Sequence, residues 1–229
     1  MVVAKLGGKP EMSSDSKLTR RLALQTGLGL AVGVTAGRLE AEAVTPPVEE
    51  GPFFPRHKQL DRDADLTQVQ GRSETAAGEA IMVHGRVVDE AGVAVAGALV
   101  DLWQANSYGR YDHEDDPNPA PIDPNFQGWA QLRSDAEGRF SIRTIKPGAY
   151  PAEENWTRPP HLHFKVAKRG YRELVTQMFF AGDALNEKDR LFREIPADQR
   201  QRVTVDFRAP DGGVPAGDFT IVLGKVGAA

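Results

Sequence analysis

The sequence lacks cysteine altogether and has few histidines and tyrosines, and both shortages limit the chemistry that it can carry. Without cysteine there is no disulfide framework, no thiolate zinc site and no thiol nucleophile. Any metal ligand must therefore be a histidine, a carboxylate, a tyrosine or a backbone oxygen, and the chain has only five histidines and four tyrosines. An excess of one charge is also missing. The formal net charge is −4 with both signs mixed along the chain, which does not favour a nucleic-acid partner.

The length of 229 residues fits one domain, or one domain with a tail, and the hydrophobic content of 40% is enough for a core. Glycine (23) and proline (16) are both frequent, which favours many turns between short strands over long helices.

The first 43 residues have a composition unlike the rest. Residues 13–21 (SSDSKLTRR) are polar and end in two arginines, and residues 22–37 are uncharged and small or apolar. Ala41-Glu42-Ala43 then has the form of a signal-peptidase site. We predict a twin-arginine-type export signal over residues 1–43, hence a periplasmic or extracellular protein with no stable membrane span after processing. An uncleaved anchor or a surface helix is the alternative, although the apolar run is shorter than the roughly 20 residues that a span needs.

The rest of the chain divides into an extended N-terminal arm over residues 44–79 and a domain over residues 80–229. Residues 44–56 are rich in proline, which excludes regular helix and central strand there. The fold class that we predict for the domain is all-β: a β-sandwich core with long functional loops, notably 105–128, and little helix beyond a short one within 184–201. Strands are predicted at 80–88, 98–104, 139–145, 161–167, 173–180, 202–207 and 218–224.

The pair His161-Leu162-His163 is the sharpest local feature. On a strand, residues i and i+2 point to the same face, so two imidazoles would project side by side as adjacent metal ligands. Alone, the pair could equally be two satisfied or exposed histidines.

Two tyrosines extend this candidate metal site. Tyr111 follows a predicted strand, and Tyr150 follows Lys146-Pro147-Gly148-Ala149 on what we take to be a turn. Either could be an ordinary packed aromatic residue. Together with the histidines, however, two anionic phenolates would suit ferric iron better than zinc.

Several ordered stretches resemble the intradiol ring-cleavage dioxygenases, most of all the protocatechuate 3,4-dioxygenase type. The resemblance covers roughly residues 48–224. The stretches are EGPFFP (50–55), LWQANSYGRYDH (102–113), DPNF (123–126), SDAEGRFSIRTIKPGAYP (134–151), RPPHLHF (158–164) and LVTQMFF (174–180).

The resemblance implies a β-sandwich enzyme with one Fe(III) per chain that opens a catechol-type ring between its two hydroxyl-bearing carbons with O2, giving a cis,cis-muconate-type product. Tyr111 and His161 would be equatorial ligands, and Tyr150 and His163 axial ligands. By the same resemblance Tyr150 would also leave the metal and take a proton when substrate binds.

The remaining roles follow from the same likeness. Arg158 would stabilise charge on the ring, Gln177 would be the pocket glutamine, and Trp103 would be the aromatic residue near the equatorial tyrosine. No role is assigned to the three other histidines: His57, His84 and His113.

The sequence departs from the family at one position of the pocket. Ala152 stands two residues after Tyr150, where the protocatechuate enzymes commonly carry tryptophan, so a more open wall is expected. Catechol, protocatechuate, hydroxyquinol or a larger plant- or lignin-derived diol all stay open as substrates, and a homo-oligomer is possible. One alternative is a non-catalytic transthyretin-like binding module, which residues 85–104 also resemble. Another is an enzyme with the same ligands but a different diol or metal.

Overall fold

The structure is a computed structural model that describes residues 42–57 and 61–227. The predicted export signal lies outside the described residues except for its last two positions. No helix in the described part of the chain is both long and apolar enough to cross a membrane.

Within the described residues, ten strands form three sheets. One sheet has three strands in the order β10-β1-β4, a second has five in the order β3-β2-β7-β8-β9, and β5 and β6 make a separate pair. All pairings are antiparallel except β1 with β10 and β8 with β9, which are parallel. The strands are β1 (Ala80–Asp89), β2 (Leu99–Trp103), β3 (Trp129–Arg133), β4 (Arg139–Ile145), β5 (Tyr150–Glu153), β6 (Trp156–Arg158), β7 (His161–Ala167), β8 (Leu174–Phe180), β9 (Thr204–Val205) and β10 (Ala216–Leu223).

The two larger sheets pack face to face as a sandwich. Alternate side chains of each strand enter the core, as a pleated strand with one buried face requires. Phe164 of β7 joins the layers, with its ring centroid 6.2 Å from that of Phe140 on β4 and 5.1 Å from that of Phe219 on β10. The predicted all-β class is therefore confirmed.

Helix is scarce, as predicted. The described chain has one short α-helix, α1 (Arg190–Glu194), and three-residue 3-10 helices at Asn186–Lys188, Arg200–Arg202 and Pro210–Gly212. Asp189 precedes α1 and its carboxylate accepts a hydrogen bond from the Phe192 amide, the usual cap at a helix start.

Most predicted strands are present within one to three residues of their expected bounds, and β4 and β7 match them fully. Three strands were not predicted: β3, β5 and β6. Residues 202–207 contain only the two-residue β9, because Arg200–Arg202 closes a 3-10 turn there. Tyr150 begins β5, so its prediction as a turn residue was wrong. The β5–β6 pair carries a register shift after Pro151, which hides its strand pattern in the sequence.

The site residues lie on the outer face of the five-stranded sheet. Leu162, Phe164 and Val166 of β7 point into the core, so His161 and His163 point away from it. The arm and the loop between β2 and β3 cover this outer face. The amide of Val48 donates to the carbonyl of Val175 at 3.0 Å.

Candidate metal centre

Strand β7 places two imidazoles side by side, as its alternation predicts. His163 lies in register with Trp103 of β2 on one side and with Gln177 of β8 on the other. The indole of Trp103 stacks on the His163 ring, with centroids 4.7 Å apart and planes at 15°. The stacking limits the directions in which the His163 ring can turn.

Tyr111 reaches the same place from the loop that follows β2. Its amide donates to the buried carboxylate of Asp116 at 2.7 Å, which holds the local turn of the loop. The ring of Phe53, from the arm, packs on the other side with a centroid distance of 4.6 Å. Loop and arm together bury Tyr111 to 3% exposure.

Tyr150 is brought beside Tyr111 by two glycines whose backbones touch. Gly109 has φ +78°, and a Cβ there would lie 2.5 Å from the Ala149 carbonyl oxygen and 3.1 Å from Tyr150 Cβ. A Cβ on Gly148 would lie 2.6 Å from Gly109 N. Any larger residue would push the two segments apart, so these glycines set the spacing of the two phenols.

Three donor atoms converge at the centre of this cluster. Tyr111 Oη lies 3.0 Å from His163 Nε2 and 3.3 Å from His161 Nε2, and the two nitrogens are 3.1 Å apart. The ring of Tyr150 adds a second phenol, with its centroid 5.6 Å from that of Tyr111 and 5.7 Å from that of His161. Donors about 2.1 Å from one ion and about 90–110° apart would be separated by about 3.0–3.4 Å, so the observed spacing fits a shared metal ion.

The protons of the cluster also suit a cation. His161 Nδ1 lies 2.7 Å from the Pro159 carbonyl oxygen, which requires the proton on Nδ1 and leaves Nε2 with a lone pair. His163 Nδ1 is buried and has no hydrogen-bond partner among the described residues. Without a metal, the Nε2 lone pair of His161 faces Arg158 Nη1 at 3.2 Å and that of His163 faces the Tyr111 hydroxyl at 3.0 Å. A metal ion placed between the two nitrogens could accept both lone pairs.

In the absence of a metal ion, burial determines whether the two histidines and the two tyrosines are charged. Desolvation lowers the pKa of His161 and His163 well below the ordinary histidine value, so both rings are neutral and ready to ligate. It raises the pKa of Tyr150, and raises that of Tyr111 well above its ordinary value, so both phenols keep their protons unless a cation replaces them. No group of three or more His, Cys, Asp or Glu side chains suited to a metal occurs in the described residues, so such a site would depend on the tyrosines.

Arg158 lies beside the cluster in a fixed orientation. Its Nε and Nη2 donate to the two oxygens of Asp189 at 3.2 and 3.1 Å, and Nη2 also donates to Gln177 Oε1 at 2.8 Å. Nη1 lies 3.2 Å from His161 Nε2. Burial is the largest single influence and lowers the pKa of the guanidinium, but the hydrogen bonds to Asp189 and the charge interactions with Tyr150, Asp189 and Tyr111 together outweigh it. The pKa of Arg158 is therefore above its ordinary value.

Gln177 is fully buried behind Arg158 and uses both ends of its amide. Oε1 accepts from Arg158, and Nε2 donates to the Glu49 carbonyl of the arm at 2.8 Å. Gln177 therefore joins the sheet, the arginine and the arm. Asp189 was not anticipated as a site residue. Asp189 lies within the stretch predicted to hold a short helix, where a residue of this type is typical of a helix cap, but its pairing with Arg158, 31 positions away, had no sequence signal.

A cavity of about 220 Å³ opens onto the cluster. Tyr150, His163 and Arg158 line it, whereas Tyr111 and His161 do not. Its wall includes Ala152, as expected at the more open position, but Trp156 of the paired strand β6 lines it too. The indole of Trp156 donates to Asp189 at 2.9 Å, so the cavity has an aromatic wall residue from another strand.

The three other histidines stand apart from this centre. His57 and His84 are exposed, and His84 lies on β1 with its Nδ1 3.0 Å from Ser141 Oγ. The ring centroid of His113 lies 5.7 Å from that of Phe53, and His113 Nδ1 accepts a hydrogen bond from the Asp115 amide.

Comparisons with known proteins find similarity to dioxygenases. A family model described as Dioxygenase (Dioxygenase_C) matches residues 49–213. The chain is 43% identical to the protocatechuate 3,4-dioxygenase beta chain of Burkholderia cepacia over 70% of this chain and 71% of that one. It is 34% identical to 6-chlorohydroxyquinol 1,2-dioxygenase of Cupriavidus pinatubonensis over 78% of this chain and 66% of that protein. The crystal structure of 3-chlorocatechol 1,2-dioxygenase from Rhodococcus opacus 1CP superposes with a TM-score of 0.64 and 26% identity, covering 82% of this chain and 76% of that one.

The matched part is shorter than several of these relatives. It spans 49–66% of the length of the curated catechol and hydroxyquinol 1,2-dioxygenases that the chain resembles.

Proposed function

The chain belongs to the intradiol ring-cleavage dioxygenases, and we propose that it opens a catechol-type ring between the two hydroxyl-bearing carbons with O2 and one ferric ion. In that reaction the bond between the two carbons breaks, both oxygen atoms enter the product, and a cis,cis-muconate-type diacid forms. The ring carbons are oxidised and O2 is reduced, so no further reductant is needed.

The convergence of Tyr111 Oη, His161 Nε2 and His163 Nε2 within 3.0–3.3 Å supports this proposal most directly. These three groups and Tyr150 would hold the ion. Two phenolates with two neutral imidazoles favour ferric iron over zinc, because hard anionic oxygen ligands suit the more highly charged ion. When bound, iron would draw electron density from a chelated diol and so make the ring reactive toward O2.

The two phenols have unequal access to a ligand, which supports unequal roles. Tyr150 lines the cavity and Tyr111 lies behind it. We assign Tyr150 the proton-accepting role: its phenolate oxygen takes the proton of a diol hydroxyl and becomes a neutral phenol. The other three groups keep their positions. The Tyr111 ring packs on Phe53 and the His163 ring stacks on Trp103. His161 donates a hydrogen bond to the Pro159 carbonyl.

Arg158 presents one end of its guanidinium to the ring. Asp189 and Gln177 occupy Nε and Nη2, which leaves Nη1 for the cavity side. A metal ion on His161 Nε2 would take the lone pair that Nη1 now faces at 3.2 Å, and both N–H groups of Nη1 would then be available. A fixed donor of this kind stabilises negative charge that develops on a substrate, and typically contributes about 10²–10³-fold to kcat.

Oxygen uptake by the purified, iron-loaded protein over a panel of catechol, protocatechuate and hydroxyquinol tests the function. We expect uptake with at least one of them, a red-brown colour from tyrosinate-to-iron charge transfer, and a muconate-type product. A product cleaved beside the diol, or a colourless protein without uptake from iron-replete cells, would refute the proposal. The latter result would favour a binding module on the same fold.

We also propose export through the twin-arginine-type signal of residues 1–43. The charged segment, the apolar run and Ala41-Glu42-Ala43 support it. Amino-terminal sequencing of the protein recovered outside the cytoplasm tests it, with Val44 as the expected first residue. A start at Met1 would exclude cleavage.

A further inference from the structure

Asp189 is a buried carboxylate that the proposed reaction does not use directly. It has no solvent exposure and does not line the cavity, yet its two oxygens accept hydrogen bonds from three residues on two elements, β6 and α1. The donors are the guanidinium of Arg158, the indole of Trp156 and the first turn of α1.

Its contact with Arg158 is a fork in which two N–H groups meet two oxygens at 3.2 and 3.1 Å. A paired fork fixes both the distance and the plane of the guanidinium, which one hydrogen bond cannot do. The amide of Gln177 holds Nη2 from another side at 2.8 Å. The guanidinium therefore has little freedom, and Nη1 can face only the cluster of His161 and the cavity.

The same carboxylate fixes the aromatic wall. Trp156 Nε1 donates to Asp189 Oδ1 at 2.9 Å, and the Arg158 guanidinium lies 5.6 Å from the centre of the indole. The cap of α1 also ties the carboxylate to the helix that carries Leu191, another lining residue.

We propose that Asp189 is a positioning residue of this active site, which holds Arg158 and Trp156 in the places where they meet the substrate ring. The inference rests on the proposed ring cleavage but concerns a residue that is neither a metal ligand nor a part of the cavity surface. Because Asp189 acts through Arg158, its loss should impair the same step as the loss of the guanidinium.

Asp189→Asn is the first test. With its carbonyl oxygen in the place of Oδ2, asparagine retains the cap and one arm of the fork, but it loses the charge, the other arm and the acceptor for Trp156. We expect kcat to fall about 10²-fold, the loss that a displacement near 1 Å of a positioned group produces, with iron content and the tyrosinate band unchanged. Asp189→Glu keeps the charge and adds one methylene, so it displaces the fork without removing it. We expect a lowered kcat there too, and this variant serves if Asp189→Asn does not fold.

Asp89→Asn is the matched control. Asp89 is also buried, accepts two backbone hydrogen bonds and pairs with a cation, Lys225, at 2.6 Å. It lies on β1 of the three-stranded sheet and does not line the cavity. We expect Asp89→Asn to lower stability while kcat stays within about twofold of the wild-type value, a change of only about 0.4 kcal/mol in activation free energy.

The double variant with Arg158→Gln separates positioning from general support of the fold. If Asp189 acts through Arg158, Asp189→Asn lowers kcat/KM much less in the Arg158→Gln background than in the wild type, and the remaining loss is the part that Asp189 exerts through Trp156. Independent roles would instead multiply the two losses in full. Multiplied losses, or Asp189 variants with the kcat of wild type, would overturn the inference. A wild-type protein that cleaves no catechol would instead refute the proposed function.

Discussion

The contact between Gly109 and Gly148 offers a sharp test of how the two phenols are spaced. Gly109→Ala introduces two costs. Alanine at φ +78° is strained by about 1–2 kcal/mol, as is any L residue in the left-handed region. Its Cβ would also lie 2.5 Å from the Ala149 carbonyl oxygen, and overpacking of this kind typically adds about 1–3 kcal/mol. We expect a total loss of about 2–5 kcal/mol from both costs together.

Two further glycines separate these costs. Gly182 has φ +75°, and no atom lies within 4 Å of the place that a Cβ would take, so Gly182→Ala carries the strain alone, about 1–2 kcal/mol. Gly148 has no positive φ, but a Cβ would lie 2.6 Å from Gly109 N, so Gly148→Ala carries the steric cost alone, about 1–3 kcal/mol. Unfolding of the iron-loaded proteins in urea, with similar slopes, would give the three values.

The tyrosinate charge-transfer band distinguishes the effect of the Gly109–Gly148 contact on the phenols from a general loss of stability. Gly109→Ala and Gly148→Ala should shift or weaken the tyrosinate charge-transfer band, because the segments that carry Tyr111 and Tyr150 must separate. Gly182→Ala should leave the band unchanged. If Gly109→Ala is no less stable than Gly182→Ala, or if it retains the wild-type band, then these glycines do not set the spacing of the phenols.

Three other outcomes follow from the same site. Tyr111→Phe should lose most of the visible band and much of the iron, whereas Tyr108→Phe, on the same loop but 50% exposed, should change neither property; equal behaviour would contradict the assigned ligand. Removing iron with a chelator should bleach the protein. It should also lower the free energy of unfolding by about 2.7 kcal/mol if free iron had been at about 100 times its Kd, and added ferric iron should restore both the colour and the stability. A colourless form of equal stability would argue against a bound ion. Catechol should be turned over with a higher kcat/KM than protocatechuate, because the carboxylate of protocatechuate needs a cation to pair with. Among the described residues, Arg158 is the only cation that lines the cavity, and Asp189 already pairs with it. A preference for protocatechuate would show that the cavity has another way to bind the carboxylate.

Local pattern accounts for much of the fold. Strands β4 and β7 coincide with their predicted bounds because alternation of apolar and polar residues is clear over seven residues in each. The unpredicted strands have no such pattern. β3 begins with two buried residues in succession, Trp129 and Ala130, and it forms a strand because β2 offers it a pairing edge. The pair β5–β6 is short and irregular, and it contains a proline.

The sequence by itself determined that His161 and His163 share one face, because strand periodicity is a local property. It also named Tyr111, Tyr150 and Arg158 through the order of motifs that resemble one enzyme family. Only the tertiary structure decided which groups meet the cavity: Tyr150 lines it and Tyr111 does not. It alone brought Asp189 to Arg158 and placed Trp156 in the wall that Ala152 leaves open. Such contacts join segments that are distant along the chain, and burial and close packing of those segments, which no local pattern encodes, decide them.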